Sequence, residues 1–336
     1  MKRIALCVIA AFLGIGMVAF AGQYNVKFGF MPGNLPAEDS PDIMYAETFK
    51  KEVEARTNGQ FAVTLYPSAQ LGGQAEMIQG VMGGYVDMAI IDTSMLNNMY
   101  DPGQVLSAPG LFASPEECDA ILAGDWGKNY TDAIRKISNI HILDMHCKGF
   151  RNFTTSNKEL KVAADAQGVT FRVMENPVSI AMVEALGAKA VPMPGSEMYL
   201  AMSNGVVDGQ ENPVFNIIQD KTYEVQKYLV LDGHMAGIMG YIMSGSLYDS
   251  LPEDIRAAVD ESSNIAMEAA KVIVEKKNRE GVQVLRDYGM SVYEPTEAEL
   301  AEWHAIILEP TLKYIRSIIG DAPVDELMAA IAEYRK

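Results

Sequence analysis

The sequence predicts an α/β fold with a largely parallel sheet, arranged as two similar halves. Three observations point to it. Strand-like alternation and helical periodicity follow one another in the order β-α-β-α-β over residues 24–91. The same style returns from residue 169 onward. A short echo, Gly84-Tyr85-Val86-Asp87 against Gly205-Val206-Val207-Asp208, falls at a helix-to-strand junction in each half. With 336 residues the chain has room for two domains of about 150 residues each.

The elements follow in order. Tyr24 to Met31 alternates as a strand. Asp42 to Thr57 places Ile43, Ala46, Phe49 and Val53 on one helical face, and Asn58-Gly59 stops it. Phe61 to Tyr66 is the next strand. Gly72-Gly73 opens a helix that buries Met77, Ile78, Val81 and Met82, and Gly83-Gly84 closes it before a strand over Val86 to Ile91. Ser114-Pro115-Glu116-Glu117 combines a cap, a first-turn proline and first-turn acids. Ile140 to Met145 and Val169 to Val173 are strands, and Asn176-Pro177 starts a helix that ends at Gly187. Ser196 caps a helix that stops at Asn204-Gly205, and the chain extends from Val206. A long helix follows, capped by Ser250, started by Pro252 and ended at Tyr288-Gly289, with Ile255, Val259, Ile265, Ala269 and Val272 as its apolar stripe. At 1.5 Å per residue it runs roughly 55 Å, more than one small domain, and reads as a strut across both halves; a break at Asn278-Arg279-Glu280 would instead give two helices. A further helix starts at Thr296, kinked or broken at Pro310, and a last one follows Pro323.

The chain opens with Met1-Lys2-Arg3, a charge-free apolar run from Ile4 to Phe20, and an A-x-A site at Ala19-Phe20-Ala21. This reads as a secretory signal peptide over residues 1–21. No later stretch is apolar enough to span a bilayer, so no membrane insertion is expected after cleavage. Losing Lys2 and Arg3 moves the net charge from −17 to −19. Such a chain has no basic stripe for phosphates, which argues against nucleic acid as a partner. It leaves room for an anionic small molecule in one locally positive site. Cys118 and Cys147 remain after cleavage, and both a disulfide and a pair of buried thiols fit them.

Much chemistry is missing. There is no G-x-S-x-G, H-E-x-x-H, C-x-x-C or phosphate loop, and no cofactor is implied. His141 and His146, five apart on a strand, read as facing opposite sides and make a poor metal pair. The 21 methionines sit at core-like helical positions.

Three polar stretches remain. In "GVTFRVMEN" (168–176) Arg172 interrupts an apolar strand near its carboxyl end, just before a helix start at Pro177. Ligands of open α/β sheets sit beyond strand carboxyl ends, and a helix N-terminus there favours anions. A ligand carboxylate fits the guanidinium fork; an ion pair with Glu175 or Glu211 fits too. In "GFRNFTTSN" (149–157) Arg151 lies between Phe150 and Phe153, which by itself reads as an exposed strand arginine. In "GVVDGQENPV" (205–214) Asn212 precedes a proline, which fixes its backbone as extended. By itself that is a plain turn.

Together with "FAVTLYPSAQLGGQAEMIQGVMGGYVDMA", "PMPGSEMYLAMSNGVVDGQENP" and "YEVQKYL", these stretches resemble the solute-receptor (DctP-type) family of tripartite ATP-independent periplasmic (TRAP) transporters. The resemblance implies a type II periplasmic-binding-protein-like fold, with two α/β domains around a ligand cleft and a long helix spanning both. The first domain would take residues 24–148 and 237–277, the second 149–236 and 278–336. It implies that Arg172 clamps a ligand carboxylate, that Arg151 lines the cleft, and that Asn212 hydrogen-bonds the ligand. The first domain would add Gln74, where relatives often carry an acid, and Asp92. Implied partners are a small organic acid, such as a C4-dicarboxylate or a sugar acid, and the membrane permease; the implied place is the periplasm. Two other readings compete: a ligand sensor for a signalling partner, and an enzyme using Asp92, Glu175 or Glu211 as acid or base.

Overall fold

Alternating burial along Tyr24–Gly29 (β1) sends Val26 and Phe28 to one face, where they meet Ile43, Ala46, Phe49 and Val53 of the helix Pro41–Arg56 (α1). Ser40 caps α1 by accepting from the Ile43 N–H, and Pro41 takes the first-turn position that needs no donor. The computed structural model describes residues 23–33 and 35–336. The leader read over residues 1–21 lies outside them.

The remaining elements are β2 (Phe61–Tyr66), α2 (Gln74–Gly83), β3 (Met88–Asp92), α3 (Pro115–Ala123), α4 (Asp125–Ile137), β4 (Ile140–Thr155), β5 (Thr170–Val173), α5 (Pro177–Ala185), β6 (Lys189–Pro192), α6 (Gly195–Ser203), β7 (Gly209–Pro213), α7 (Val214–Gln219), β8 (Tyr228–Val230), β9 (Met235–Ser244), α8 (Gly245–Ser250), α9 (Glu253–Asp287), β10 (Ser291–Tyr293), α10 (Glu297–Ile319) and α11 (Ala322–Tyr334). Among the described residues the strands form one sheet in the order β2-β1-β3-β9-β4-β7-β5-β6, with β8 beside β4 and β10 beside β8.

The sheet is mixed rather than largely parallel. β1 pairs in parallel with β2 and β3, and β5 with β6 and β7, as βαβ units require. β4 and β9 run antiparallel to each other and to β7 and β3. They are the segments by which the chain leaves one half and returns. A parallel reading from βαβ order cannot see that crossing.

The pairing of β4 with β9 slips twice, between Ile142 and Asp144 and between Cys147 and Phe150. The first slip corrects the histidine reading. His141 stands opposite Met243 and His146 opposite Met239, four apart on an unbroken strand, so both histidines face the same side. They form no metal site: His141 stacks on Tyr248 at 3.7 Å between ring centroids, and His146 lies buried beside Tyr241. At the second slip Gly149 has φ +104°, and a Cβ there would stand 2.5 Å from Asn278 Nδ2. Only glycine fits both the backbone and the approach of α9.

α9 is continuous over 35 residues, about 52 Å. Its first turns pack Ile255, Val259, Ala266 and Ala270 on α1, and Leu285 reaches Val214 and Ile217 of α7 in the other half. The predicted stripe is off by a residue in places. Ile265 and Val272 face water, while Ser262, Ser263, Ala266 and Ala270 are buried. Helices that approach closely take small residues, so bulk misleads there. Ser250 does not cap α9; its Oγ bonds back to the Leu247 carbonyl, and Pro252 holds the cap position. Nor does Ser196 cap α6, which starts at Gly195 behind Pro194, and β7 begins at Gly209 because Val206 stands exposed in the turn. Pro310 sits inside an uninterrupted α10.

The tail crosses back. Trp303 and Ile307 of α10 belong to the apolar cluster of β5 and α5, but Val324, Leu327 and Ile331 of α11 share a cluster with Cys118, Ile121 and Tyr130. The last helix therefore lies on the first half, not on the second, where residues 278–336 were expected. Cys118 and Cys147 are buried free thiols in that same cluster. No helix among the described residues is long and apolar enough to cross a membrane.

Candidate functional site

A cavity of about 370 Å³ opens between the two groups of strand ends. All five residues singled out by sequence line it: Gln74 and Asp92 on one wall, Arg151, Arg172 and Asn212 on the other.

β5 carries Arg172 with Phe171 and Val173 buried in the apolar cluster behind it. The guanidinium crosses toward the loop before α6. Its Nε and Nη2 donate to the Met193 carbonyl at 3.0 and 2.7 Å, and Nη1 lies 3.7 Å from Met198 Sδ. It is 5% exposed, yet no carboxylate comes within ion-pair distance of it among the described residues. Burial draws its pKa down to about 10, with Glu211 offsetting and Arg151 reinforcing the shift. Neither Glu175 nor Glu211 is its partner.

Arg151 is different. It is fully buried, not an exposed strand residue. Its Nε and Nη2 grip both oxygens of Glu211, Nη2 also donates to the Glu211 carbonyl at 2.6 Å, and Nη1 stands 3.7 Å from Asp92 Oδ2. The register of β4 on β7, which sets Phe153 opposite Glu211, brings the pair together. Glu211 continues to His234 (3.4 Å), whose Nδ1 meets Asp232 Oδ2 at 2.6 Å. Burial would raise the Glu211 carboxyl, but Arg151 and His234 outweigh it and hold the group at about 2.

Asp92 ends β3. Its Oδ1 accepts from the Ser94 N–H and hydroxyl, and its Oδ2 pairs with Lys148 Nζ at 2.9 Å. Its burial is more than offset by Lys148 and Arg151, which keep the carboxyl low. Gln74, at the start of α2, accepts from the Asp92 N–H at 2.6 Å and so fixes that strand end. Asn212 is no plain turn: it is buried in β7 and donates to Gln210 Oε1 at 2.6 Å, leaving its Oδ1 without a partner among the described residues.

The lining thus carries Lys148 and Arg151 in ion pairs, and Arg172, Asp42 and Asp220 with none among the described residues. The family described as bacterial extracellular solute-binding protein, family 7 (DctP), matches residues 33–317. The chain belongs to that family. A solute-binding protein of Verminephrobacter eiseniae is 31% identical, covering 88% of this chain and 87% of its own length. Among solved structures, a TRAP periplasmic solute-binding protein from Polaromonas, bound to D-erythronate, superposes with a TM-score of 0.85 at 28% identity, covering 91% of this chain and 98% of that one. One from Shewanella oneidensis, with bound succinate, gives a TM-score of 0.85 at 26% identity, with 92% and 99% covered. The two-domain periplasmic-binding fold and the solute-binding class expected from sequence both hold.

Within this family member, sequence reasoning missed several lining residues. Asp42 in the first turn of α1, and Asn216 and Gln219 of α7, drew no reading from sequence, yet all three line the cavity. The pairing of Lys148 with Asp92 joins segments 56 positions apart and leaves no local sign.

The buried His234 gives a pH prediction. Burial would lower its pKa, but Asp232 and Glu211 raise it to about 9. The folded state thus favours the charged ring. That stabilisation is full below the ordinary 6.5 and disappears as pH rises through about 9. Unfolding free energy is expected to fall by on the order of 2 kcal/mol between pH 7 and 10, and His234→Gln to flatten that limb. Denaturant titrations at a series of pH values check it.

Proposed function

We propose that this protein is the extracytoplasmic receptor of a TRAP transporter, that it holds one small organic acid in the cavity, and that it delivers the acid to the membrane permease. The observation that carries the reading is Arg172: a buried guanidinium, braced by the Met193 carbonyl and lining a cavity, with no carboxylate within ion-pair distance among the described residues. A ligand carboxylate is its missing partner. Asn212 Oδ1 accepts from a hydroxyl of the acid, Arg151 offers Nη1 from its clamp on Glu211, and Gln74 and Asp92 complete the opposite wall. The cavity is within the roughly 300–1,000 Å³ of small-molecule sites.

Asp42, Asp92, Lys148, Arg151 and Arg172 are all buried, so entry requires the walls to part. The halves, residues 24–148 with 237–277 and residues 149 onward without that insert, close on the ligand by bending where β4 and β9 cross, and α11 travels with the first half. Asp92 and Glu211 are ionised and neutralised by cations, which makes them poor acids or bases; this supports carriage without turnover. Residues 1–21 direct the chain to the periplasm and are then removed.

Thermal-shift screening of the mature protein against a library of organic acids tests the reading. At least one acid is expected to bind with a Kd near or below micromolar, about −8 kcal/mol, and to raise the melting temperature. Small-angle scattering is expected to show a smaller radius of gyration at saturation. A library with no hit, or a saturated protein of unchanged dimensions, would count against receptor and hinge respectively.

A further inference from the structure

The charges of the cleft are not evenly distributed. Lys148 is matched by Asp92, and Arg151 by Glu211. Arg172 has no ion-pair partner among the described residues, although Asp220 at the end of α7 lines the same cavity and offsets part of the cost of its burial. The opposite wall presents Asp42, which no sequence motif marked. Asp42 lies in the first turn of α1, where Ser40 caps the helix and Pro41 fixes its entry. It is 7% exposed, lines the same cavity as Arg172, and its Oδ1 is buried with no hydrogen-bond partner among the described residues. Buried polar atoms are nearly always satisfied, so an acceptor of this kind lining a cavity suits a ligand donor.

We infer that the wall facing Arg172 is an acceptor subsite centred on Asp42, and that the ligand is a hydroxylated monocarboxylate, not a dicarboxylate. The inference rests on the receptor reading above and narrows its ligand. A monoanion neutralises Arg172, and a hydroxyl at its far end donates to Asp42 Oδ1. A second carboxylate reaching that wall would find Lys148 held by Asp92 and would face the Asp42 carboxyl group instead of a cation. Burial raises the Asp42 carboxyl to about 7, with Lys148 opposing and Asp220 reinforcing. At neutral pH the group is therefore divided between charged and neutral forms. A hydroxyl donates to either form. A carboxylate is repelled by the first and with the second must keep a shared proton in place, as facing carboxyls do. Specificity of this kind needs the repulsive element as much as the attractive one.

The test is calorimetry on the mature protein at pH 7.5 with D-erythronate, galactonate, succinate and an α-amino acid of four carbons. One of the two aldonates is expected to bind at least 30-fold more tightly than succinate. Asp42→Asn, neutral and nearly isosteric, is expected to bring that ratio within threefold, weakening the aldonate and strengthening succinate. Asp42→Ser repeats that arm with a shorter neutral side chain, and the wild-type ratio needs no variant at all. Succinate as the tighter ligand, a tighter zwitterionic amino acid, or a ratio unchanged in both variants would overturn the inference while leaving an acid receptor intact. Binding of none of these probes, nor of any acid in the wider library, would overturn the receptor reading itself.

Discussion

Arg172→Ala is expected to raise the Kd of the bound acid by two to three orders of magnitude while leaving the empty protein as stable as wild type, or slightly more stable. The two halves of this expectation have one cause. Without ligand Arg172 is a buried cation whose contacts among the described residues are the Met193 carbonyl and the Met198 sulfur, with no ion pair. Its lowered pKa, about 10, registers the cost of that burial. Removing it relieves the cost and leaves no buried carboxylate stranded, because none is paired with it. With ligand present the balance reverses. The desolvated carboxylate loses its bidentate partner, and truncating one member of such a pair costs about 2–5 kcal/mol. At 1.4 kcal/mol per decade, that spans roughly 30- to several-thousand-fold. Arg172→Lys keeps the charge but loses the fork, and should fall between the two. Calorimetry gives the affinities and thermal unfolding without ligand gives the stability. An alanine variant of near-wild-type affinity would sink the carboxylate clamp; one that unfolds without ligand would recast Arg172 as structural.

Glu211→Gln should do the opposite. Glu211 is fully buried, and its carboxylate accepts twice from the Arg151 guanidinium and once from His234. Neutralising it removes the anion between Arg151 and His234, leaving Asp232 on the far side of the ring and Asp92 at 3.7 Å from Arg151 as their remaining counter-charges. Breaking a buried pair in this way costs about 3–5 kcal/mol. A fall of roughly 10 °C in melting temperature without ligand is expected for a chain of this size. Urea unfolding with an unchanged m-value would confirm that stability, not the unfolded ensemble, has moved. A loss under 1 kcal/mol would mean that the pair is dispensable. The two arginines, 21 positions apart on neighbouring parts of one sheet, thus separate by experiment into one that serves the ligand and one that serves the fold.

How much of this was legible in the sequence depended on how local the cause was. β1, α1, β2 and α2 follow from periodicity and caps written within each element, and they appear where expected. The strand and helix around Arg172 follow likewise from Val169, Phe171, Val173 and Asn176-Pro177, so its place at a strand end could be read. Its freedom from a partner could not, because Glu211, the obvious anion, is claimed by Arg151 through the β4–β7 register. The facing of His141 and His146 hung on a bulge with no composition signature. Ile265 and Val272 misled because close packing of α9 on α1 selects small residues. Asp42 was hidden by its own ordinariness: an acid in a first turn stabilises any helix, and only the fold shows that this turn ends at a cavity wall.

One consequence of the β4–β9 crossing concerns leverage. The second register slip lies between Cys147 and Phe150, with Gly149 at its centre and Asn278 of α9 donating to the Lys148 carbonyl at 3.1 Å. Lys148 and Arg151 flank that glycine at distances of one and two positions. If the halves close as proposed, bending at this glycine would shift Lys148 against Arg151, which moves with Arg172 in the second half, like keys on either side of one fulcrum. Parting the walls would then also misalign the cleft's charges, so that grip and posture would change as one motion.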